Sequence, residues 1–350
     1  MKILVYTDNH FCTYSSILRE RGQKYSKRLE NQIESLNWVE KVAKDFNCSK
    51  IICLGDFFDS PDLKAEELTA LSEINWNSEI EHVFLVGNHE LGSQENLYSS
   101  TKALSKYGQV IDKPTIDCGY GYELFYLPYI IDSNRKPLAE YIKETQNEYY
   151  AGMVTTQEVK KRIILSHNDI AGIQYGQFIS KSGFHIEEIC NHCSLFVNGH
   201  LHNQAQINNK ILNLGNLTGQ NFSEDGFKHS HCIGILDTDT LKIDLINNPY
   251  AFNFYKLDFT ENNWEQILKN CNNAIVTVRV FDKDIHSIRE MIAQNSNIIC
   301  FRLLSVPFNV GSYSQIQSLS PAVDHVTKFK EYVLDSIEKS DILIDELKNL

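Results

Sequence analysis

Apolar residues along the chain fall into short runs with two different periods. Residues 2–7, 50–54, 82–86 and 162–166 are strand-length runs rich in Val, Ile and Leu. Between the first two, Leu29, Ile33, Leu36, Val39, Val42, Ala43 and Phe46 recur at mostly three- and four-residue steps, which predicts a helix with one apolar face laid on a sheet. Runs at 122–128, 195–198, 210–214, 231–237 and 241–246 add strands close together in sequence. Their spacing predicts antiparallel neighbours, hence a mixed system of two sheets flanked by helices. Gly119-Tyr120-Gly121 reads as a turn.

The pattern breaks at Asn247-Asn248-Pro249. A smaller α/β unit is predicted beyond it, with strands at 252–259, 274–281 and 298–304 and helices around 264–268 and at 285–293. After Pro307 a polar link holding Gly311 and Ser312 leads to a helical segment with Val326, Phe329, Val333, Ile337, Ile344 and Leu347 on one side. The expected division is therefore 1–249, 250–308 and 309–350, the last a linker and helix able to bind a partner or fold back on the chain.

Composition narrows the class. With 42% hydrophobic and 22% charged residues in 350, the chain should fold as an ordinary globular protein. Its 33 basic and 45 acidic side chains give a net charge of −12, so bulk positive charge cannot attract nucleic acid or an anionic membrane. Any such contact has to be local. The apolar runs are too short for a transmembrane span or signal peptide. Nine scattered cysteines, an odd number, point to reduced thiols and a cytoplasmic protein. Cys190 and Cys193 lack the second pair that a structural zinc needs, and no P-loop motif occurs.

Five polar clusters follow predicted strands: Asp8-Asn9-His10, Gly55-Asp56-Phe57-Phe58-Asp59, Gly87-Asn88-His89-Glu90, His167, and Gly199-His200-Leu201-His202. The carboxyl ends of strands are where α/β sheets place ligands, so the five can form one site. Asp8 with His10, and His200 with His202, are two residues apart and so project from one face of extended chain. Carboxylates, an amide oxygen and imidazoles without a thiolate suit Mn²⁺, Fe, Zn²⁺ or Mg²⁺. The remaining histidines, His82, His185, His192, His229, His231, His286 and His325, lie outside these clusters and read as structural or surface residues.

In this order, DNH, GDFFD, GNHE, the single His and GHLH resemble the calcineurin-like metallophosphoesterases over roughly the first 240 residues. The resemblance implies two divalent metal ions, with Mn²⁺ favoured. It assigns Asp8, His10, Asp56 and His202 to one ion, and Asp56, Asn88, His167 and His200 to the other. It also implies His89 as the group acting on the leaving oxygen, oriented by Asp59, in an in-line attack by an activated water.

The order of parts is similar to the exonuclease subunit of SbcCD-type repair complexes, including phage recombination nucleases. That likeness implies a DNA exonuclease/endonuclease, a separate SMC-like ATPase chain docking on the tail, and a homodimer. Arg19, Arg21, Lys24, Lys27 and Arg28, with only Glu20 among them, form a basic segment beside the site, near Phe11, Tyr14 and Tyr25. Such a segment can grip phosphates and stack on a base; its plainer reading is a solvated charged loop. Gly215-Asn216-Leu217-Thr218 departs from the family's usual Gly-Ser or Gly-Thr at Asn216. Two other readings stand beside the nuclease: a stand-alone phosphodiesterase or phosphatase on small molecules, and a non-catalytic scaffold of the same fold.

Overall fold

The computed structural model describes residues 1–15, 17–92, 98–151, 161–175, 178–224, 226–260 and 272–308. Met1–Val306 is one compact unit and Pro307–Leu350 a second. The helices expected around 264–268 and in the terminal segment lie outside the described residues.

Among the described residues, fifteen strands build the three larger sheets. In chain order they are β1 (Lys2–Tyr6), β2 (Lys50–Cys53), β3 (Glu81–Leu85), β4 (Gln109–Ile111), β5 (Thr115–Gly119), β6 (Tyr122–Leu127), β7 (Arg162–Ser166), β8 (Leu195–Asn198), β9 (Ala205–Gln206), β10 (Ile211–Asn213), β11 (Cys232–Asp237), β12 (Lys242–Asn247), β13 (Asn253–Asp258), β14 (Ala274–Phe281) and β15 (Ile298–Val306). The first sheet runs β12-β11-β1-β2-β3-β4, the second β9-β10-β8-β7-β6-β5, and the third β13-β14-β15. β1 to β4 are mutually parallel, while β11 and β12 close that sheet antiparallel.

Strand alternation sorts the core into layers. Ile3, Val5, Ile52, Leu54, Val83 and Leu85 turn one face of the first sheet toward Leu124, Ile163, Leu165, Val197 and Leu212 of the second. The opposite face, with Leu4, Tyr6, Ile51, Cys53 and Phe84, packs on α1 (Lys27–Asp45) through Leu29, Leu36, Val39 and Ala43, and on Ala70 of α2 (Ala65–Ala70). The outer face of the second sheet packs Phe125, Leu127, Ile164 and Phe196 on α3 (Leu138–Tyr149) and α4 (Ile186–His192). The result is helix on sheet on sheet on helix, the mixed α/β arrangement expected from the two-period pattern.

The helix predicted from Leu29 onward begins where Ser26 accepts a hydrogen bond from the Leu29 amide, an N-cap that satisfies an otherwise orphaned donor. Phe46, counted with its apolar stripe, instead lies beyond the last turn and is exposed. The strand expected at 210–214 forms as β10, but it is parallel to β8, and only the two-residue β9 runs antiparallel to it. A dozen residues separate β8 from β10, enough to reverse direction twice and realign the chain.

The third sheet is wholly parallel and packs Val276 and Val278 against Ile288 and Ile292 of α5 (Ile285–Ala293). It joins the larger sheets through a small cluster of Leu18, Phe252, Phe254 and Ile275.

Candidate metal centre

Each polar cluster leaves the sheets where its strand ends, and the two sheets deliver their loops to the same place. β1, β2 and β3 of the first sheet supply Asp8 and His10, Asp56, and Asn88 and His89; β7 and β8 of the second supply His167, and His200 and His202. Asp8, His10, Asp56 and His200 all have left-handed backbones, with φ of 50°, 49°, 49° and 74°. Each such residue costs on the order of 1–3 kcal/mol, so the surrounding fold must over-determine it. Hydrogen bonds do this: Asp8 N donates to Gly55 O (3.1 Å), and His10 N donates to Asp56 O (3.0 Å), lacing the first two loops together.

Two groups of donor atoms converge. In the first, His10 Nε2 and His202 Nε2 are 3.1 Å apart, with Asp8 Oδ1 3.8 Å from the His10 nitrogen. In the second, His167 Nε2 lies 3.1 Å from Asp56 Oδ2 and 3.2 Å from Asn88 Oδ1, which is 2.8 Å from His200 Nδ1. Asp56 Oδ2 is also 4.0 Å from His10 Nε2, so one oxygen faces both groups. Its other oxygen is occupied, accepting the His89 backbone amide at 2.9 Å. Sequence expectation named these seven residues, and the fold brings all seven together.

The set fits two divalent cations. Asp8 Oδ1 is fully buried and has no hydrogen-bond partner, while Asp8 Oδ2 accepts from Thr7 Oγ1 and the His200 amide. A buried carboxylate oxygen left bare in this way costs free energy unless a cation or donor meets it.

The outward nitrogens settle which lone pairs face inward. His10 Nδ1 is held by Asp59 Oδ1 (3.1 Å), His167 Nδ1 by Leu54 O (3.0 Å), His200 Nε2 by Asp169 Oδ1 (3.2 Å), and His202 Nδ1 by Glu224 Oε1 (3.0 Å). Each acceptor fixes the proton on the outer nitrogen and leaves the inner one free to ligate, the usual support for metal-binding histidine. Asp59 was expected to orient His89. Its carboxylate instead serves His10, and its main-chain carbonyl takes His89 Nδ1 at 3.2 Å, with the carboxylate 3.7 Å away. His10, Asp59 and His89 also form a three-donor cluster, but His10 would have to ligate through both nitrogens there, so we read it as support for the first group.

Sequence reasoning did not find Asp169 or Glu224. Nor did it find Gln32 of α1, whose amide donates to Asn9 O (2.7 Å) and His10 O (2.6 Å) while its oxygen accepts from Cys12 N. Asn168, Asn198 and Asn213, all fully buried at the ends of β7, β8 and β10, hold the neighbouring loops by side-chain to backbone bonds. Polar residues ending apolar strand runs were the available signal.

Burial opposes charge throughout the site, and the neighbours decide the outcome. Burial alone would raise Asp56, yet the imidazoles of His167, His10 and His89 hold it well below the usual carboxylate range. Burial would likewise lower His167, but Asp56, Asp8 and Glu90 push it up to about 9. The metal-free site thus holds a proton on His167 below that pH, and a cation needing its lone pair must displace it. Metal affinity is therefore expected to rise with pH between 6 and 8, with net proton release on binding at pH 7. Calorimetry in buffers of different ionisation enthalpy measures that release; binding unaffected by pH and buffer would contradict it.

At Gly87 the third loop runs directly against Asp56. A Cβ there would collide with the Asp56 carboxylate and backbone nitrogen, and the Gly87 amide donates to Glu90 Oε2 at 2.7 Å. Glu90, fully buried, also accepts from Phe58 N (3.1 Å), and so ties the second loop to the third. Gly87→Ala should displace Asp56 and lower metal affinity at both groups by about tenfold or more, a few kcal/mol of overpacking being typical at such contacts. Metal titration of the variant checks this, with unchanged affinity as the contrary result.

The basic segment is placed less simply. Arg28 is buried and donates to Gly219 O (3.2 Å) and to Gln220, which serves the fold. Arg21 pairs with Glu66 (2.6 Å), Lys24 with Glu73, and Lys27 with Glu20, all on the surface. Arg19 lies in the same loop. Of the histidines read as structural, His82 is buried against Glu40 (2.8 Å) and His231 against Asn216 (2.7 Å). Among the described residues no helix is long and apolar enough to cross a membrane.

Among solved structures the chain is similar to TT1561 of Thermus thermophilus, at 14% identity over 70% of this chain and 98% of that one, with a TM-score of 0.42. It is also similar to a dimetal phosphatase from Danio rerio (13%, 71% and 98%, TM-score 0.40) and to the E. coli phosphoesterase Yfce (13%, 71% and 100%, TM-score 0.31). At such identities and scores these likenesses carry no functional argument. No curated protein matches the chain. The model of one family, calcineurin-like phosphoesterase, matches residues 1–223, well over half of the sequence and every strand-end cluster of the site, and the chain belongs to that family of metal-dependent phosphoesterases.

Proposed function

We propose that the chain is a two-metal DNA nuclease, the exonuclease/endonuclease subunit of an SbcCD-type recombination and repair complex. In this reading Asp8, His10, Asp56 and His202 hold one ion, and Asp56, Asn88, His167 and His200 the other. Mn²⁺ suits this oxygen and nitrogen set. The observation that carries the phosphodiester chemistry is the single Asp56 oxygen facing both donor groups. Ions bound there would lower the pKa of a water and neutralise charge on the phosphoryl oxygens during in-line displacement.

The chain's own residues do the rest. His89, with Nδ1 held by the Asp59 carbonyl, keeps Nε2 as its free nitrogen, and its side chain is 42% exposed at the mouth of the site. With a second proton on Nε2, the ring can give a hydrogen bond or that proton to the oxygen that leaves phosphorus. The carboxylates of Asp59, Asp169 and Glu224 keep three ligand imidazoles in the ligating tautomer.

Two features support DNA as substrate: the partly exposed side chains of His89 and Asp59, which a polymer's backbone could reach, and the order of a two-sheet body followed by a small α/β sheet. The same reading includes an SMC-like ATPase partner and a homodimer. A specific observation favours the small-molecule alternative: Arg21, Lys24 and Lys27 are already paired with acids, and Arg28 is buried. Purified protein with Mn²⁺ should shorten end-labelled duplex DNA, and an Asp8→Ala control should not. Turnover of a small phosphodiester with DNA untouched would replace the DNA reading. Inactivity on both would revive the scaffold.

A further inference from the structure

Glu224 is the one acid among the described residues of the segment linking the second sheet to β11, residues 214–231, and it is 4% exposed. Its Oε1 accepts from His202 Nδ1 and from Asn216 Nδ2, each at 3.0 Å, and its Oε2 accepts from the Gln220 amide at 2.9 Å. Asn216 is itself fixed: its amide donates to His202 O (3.1 Å) and its Oδ1 faces His231 Nδ1 at 2.7 Å. The position that departs from the family's usual Gly-Ser or Gly-Thr is thus spanned by a buried polar chain, His231 to Asn216 to Glu224 to His202.

The loop is held from outside as well. Gly219 N donates to Phe252 O (2.9 Å) and Gly226 N to Phe254 O (3.0 Å), and Phe222 meets the Phe254 ring edge to face at 5.1 Å. Glu224 therefore stands on a loop bolted to β13 of the small sheet, so its carboxylate cannot drift from His202 without breaking these contacts.

We infer that Glu224 is a positioning residue for the first metal: it holds the His202 proton on Nδ1, aims Nε2 at the site and makes that nitrogen a stronger donor. The inference rests on the two-metal reading and not on the choice of DNA as substrate. Loss of such an outer partner typically weakens metal binding about 10–100-fold. Glu224→Gln keeps the shape but removes the charge and one acceptor, leaving an NH₂ beside a donor. Glu224→Ala removes the contact entirely.

The test is Mn²⁺ binding to the full chain, counted by electron paramagnetic resonance of free Mn²⁺, with melting of the metal-free protein measured alongside. Wild type should bind two ions. Glu224→Gln should melt within a few degrees of wild type, yet bind one ion about 10–100-fold more weakly and leave the other nearly unchanged. Wild-type affinity at both positions in Glu224→Gln overturns the inference. So does equal weakening of both positions that follows a fall in melting temperature, which is the mark of a merely structural residue. If wild type binds no Mn²⁺, the two-metal reading itself fails and takes this inference with it.

Discussion

Asp56→Asn should abolish metal-dependent hydrolysis, lowering kcat/KM by about a thousandfold or more, equivalent to about 4 kcal/mol of transition-state stabilisation. The argument is geometric. Asp56 Oδ1 can be replaced by an amide oxygen, because its task is to accept the His89 backbone amide. Oδ2 cannot, because it faces His167 Nε2 at 3.1 Å and His10 Nε2 at 4.0 Å, where an NH₂ group would offer protons to nitrogens that must present lone pairs. One substitution of nearly equal size therefore weakens both ions together, while the sandwich core is untouched. Activity assays beside metal analysis check this; an Asp56→Asn chain that keeps two ions and wild-type turnover would refute the shared-oxygen arrangement.

The second large effect separates chemistry from metal binding. His89→Ala should lower kcat by about 10²–10⁴-fold while both ions remain bound, because the imidazole belongs to neither converging donor group and acts on the leaving oxygen. Its backbone amide, which anchors Asp56, survives the substitution. A leaving group that needs no proton should recover much of the loss, so comparison of a p-nitrophenyl phosphodiester with an alkyl one measures the role directly. Loss of activity in step with loss of metal would mean that His89 is a ligand instead.

Much of this site could be read from the sequence because metal ligation constrains spacing. Asp8 with His10 and His200 with His202 recur at a two-residue step just past a strand end, although the fold meets that step with left-handed turns at Asp8, His10 and His200 and not with the extended chain expected; Gly87 stands where the approach of Asp56 leaves no room for a Cβ. The sandwich was legible for a similar reason, since the alternation of Ile3 and Val5 against Leu4 and Tyr6 sorts directly into the two core layers.

What escaped were the partners of the ligands. Asp169 follows His167 by two residues and Glu224 sits in a polar loop that looks solvated; only the meeting of β7, β8 and the small sheet's first strand brings them to His200 and His202. Gln32 stands within the apolar stripe of α1, one turn from Leu29 and Leu36, where a polar side chain gives no hint of the loop backbone it holds. Beside it Arg28, Asn31 and Ser35 are buried too, gripping loops from the second half of the chain. The parallel placement of β10 was lost for the same reason: local closeness suggested a hairpin, and the register with β8 is set by long-range pairing.

The most direct measurement of the central claim is anomalous diffraction at the manganese edge from crystals grown with Mn²⁺. The account predicts two peaks of comparable height on either side of the Asp56 carboxylate, one within bonding reach of Asp8, His10 and His202, the other within reach of Asn88, His167 and His200. A single peak, or two peaks of which neither touches Asp56, would contradict it.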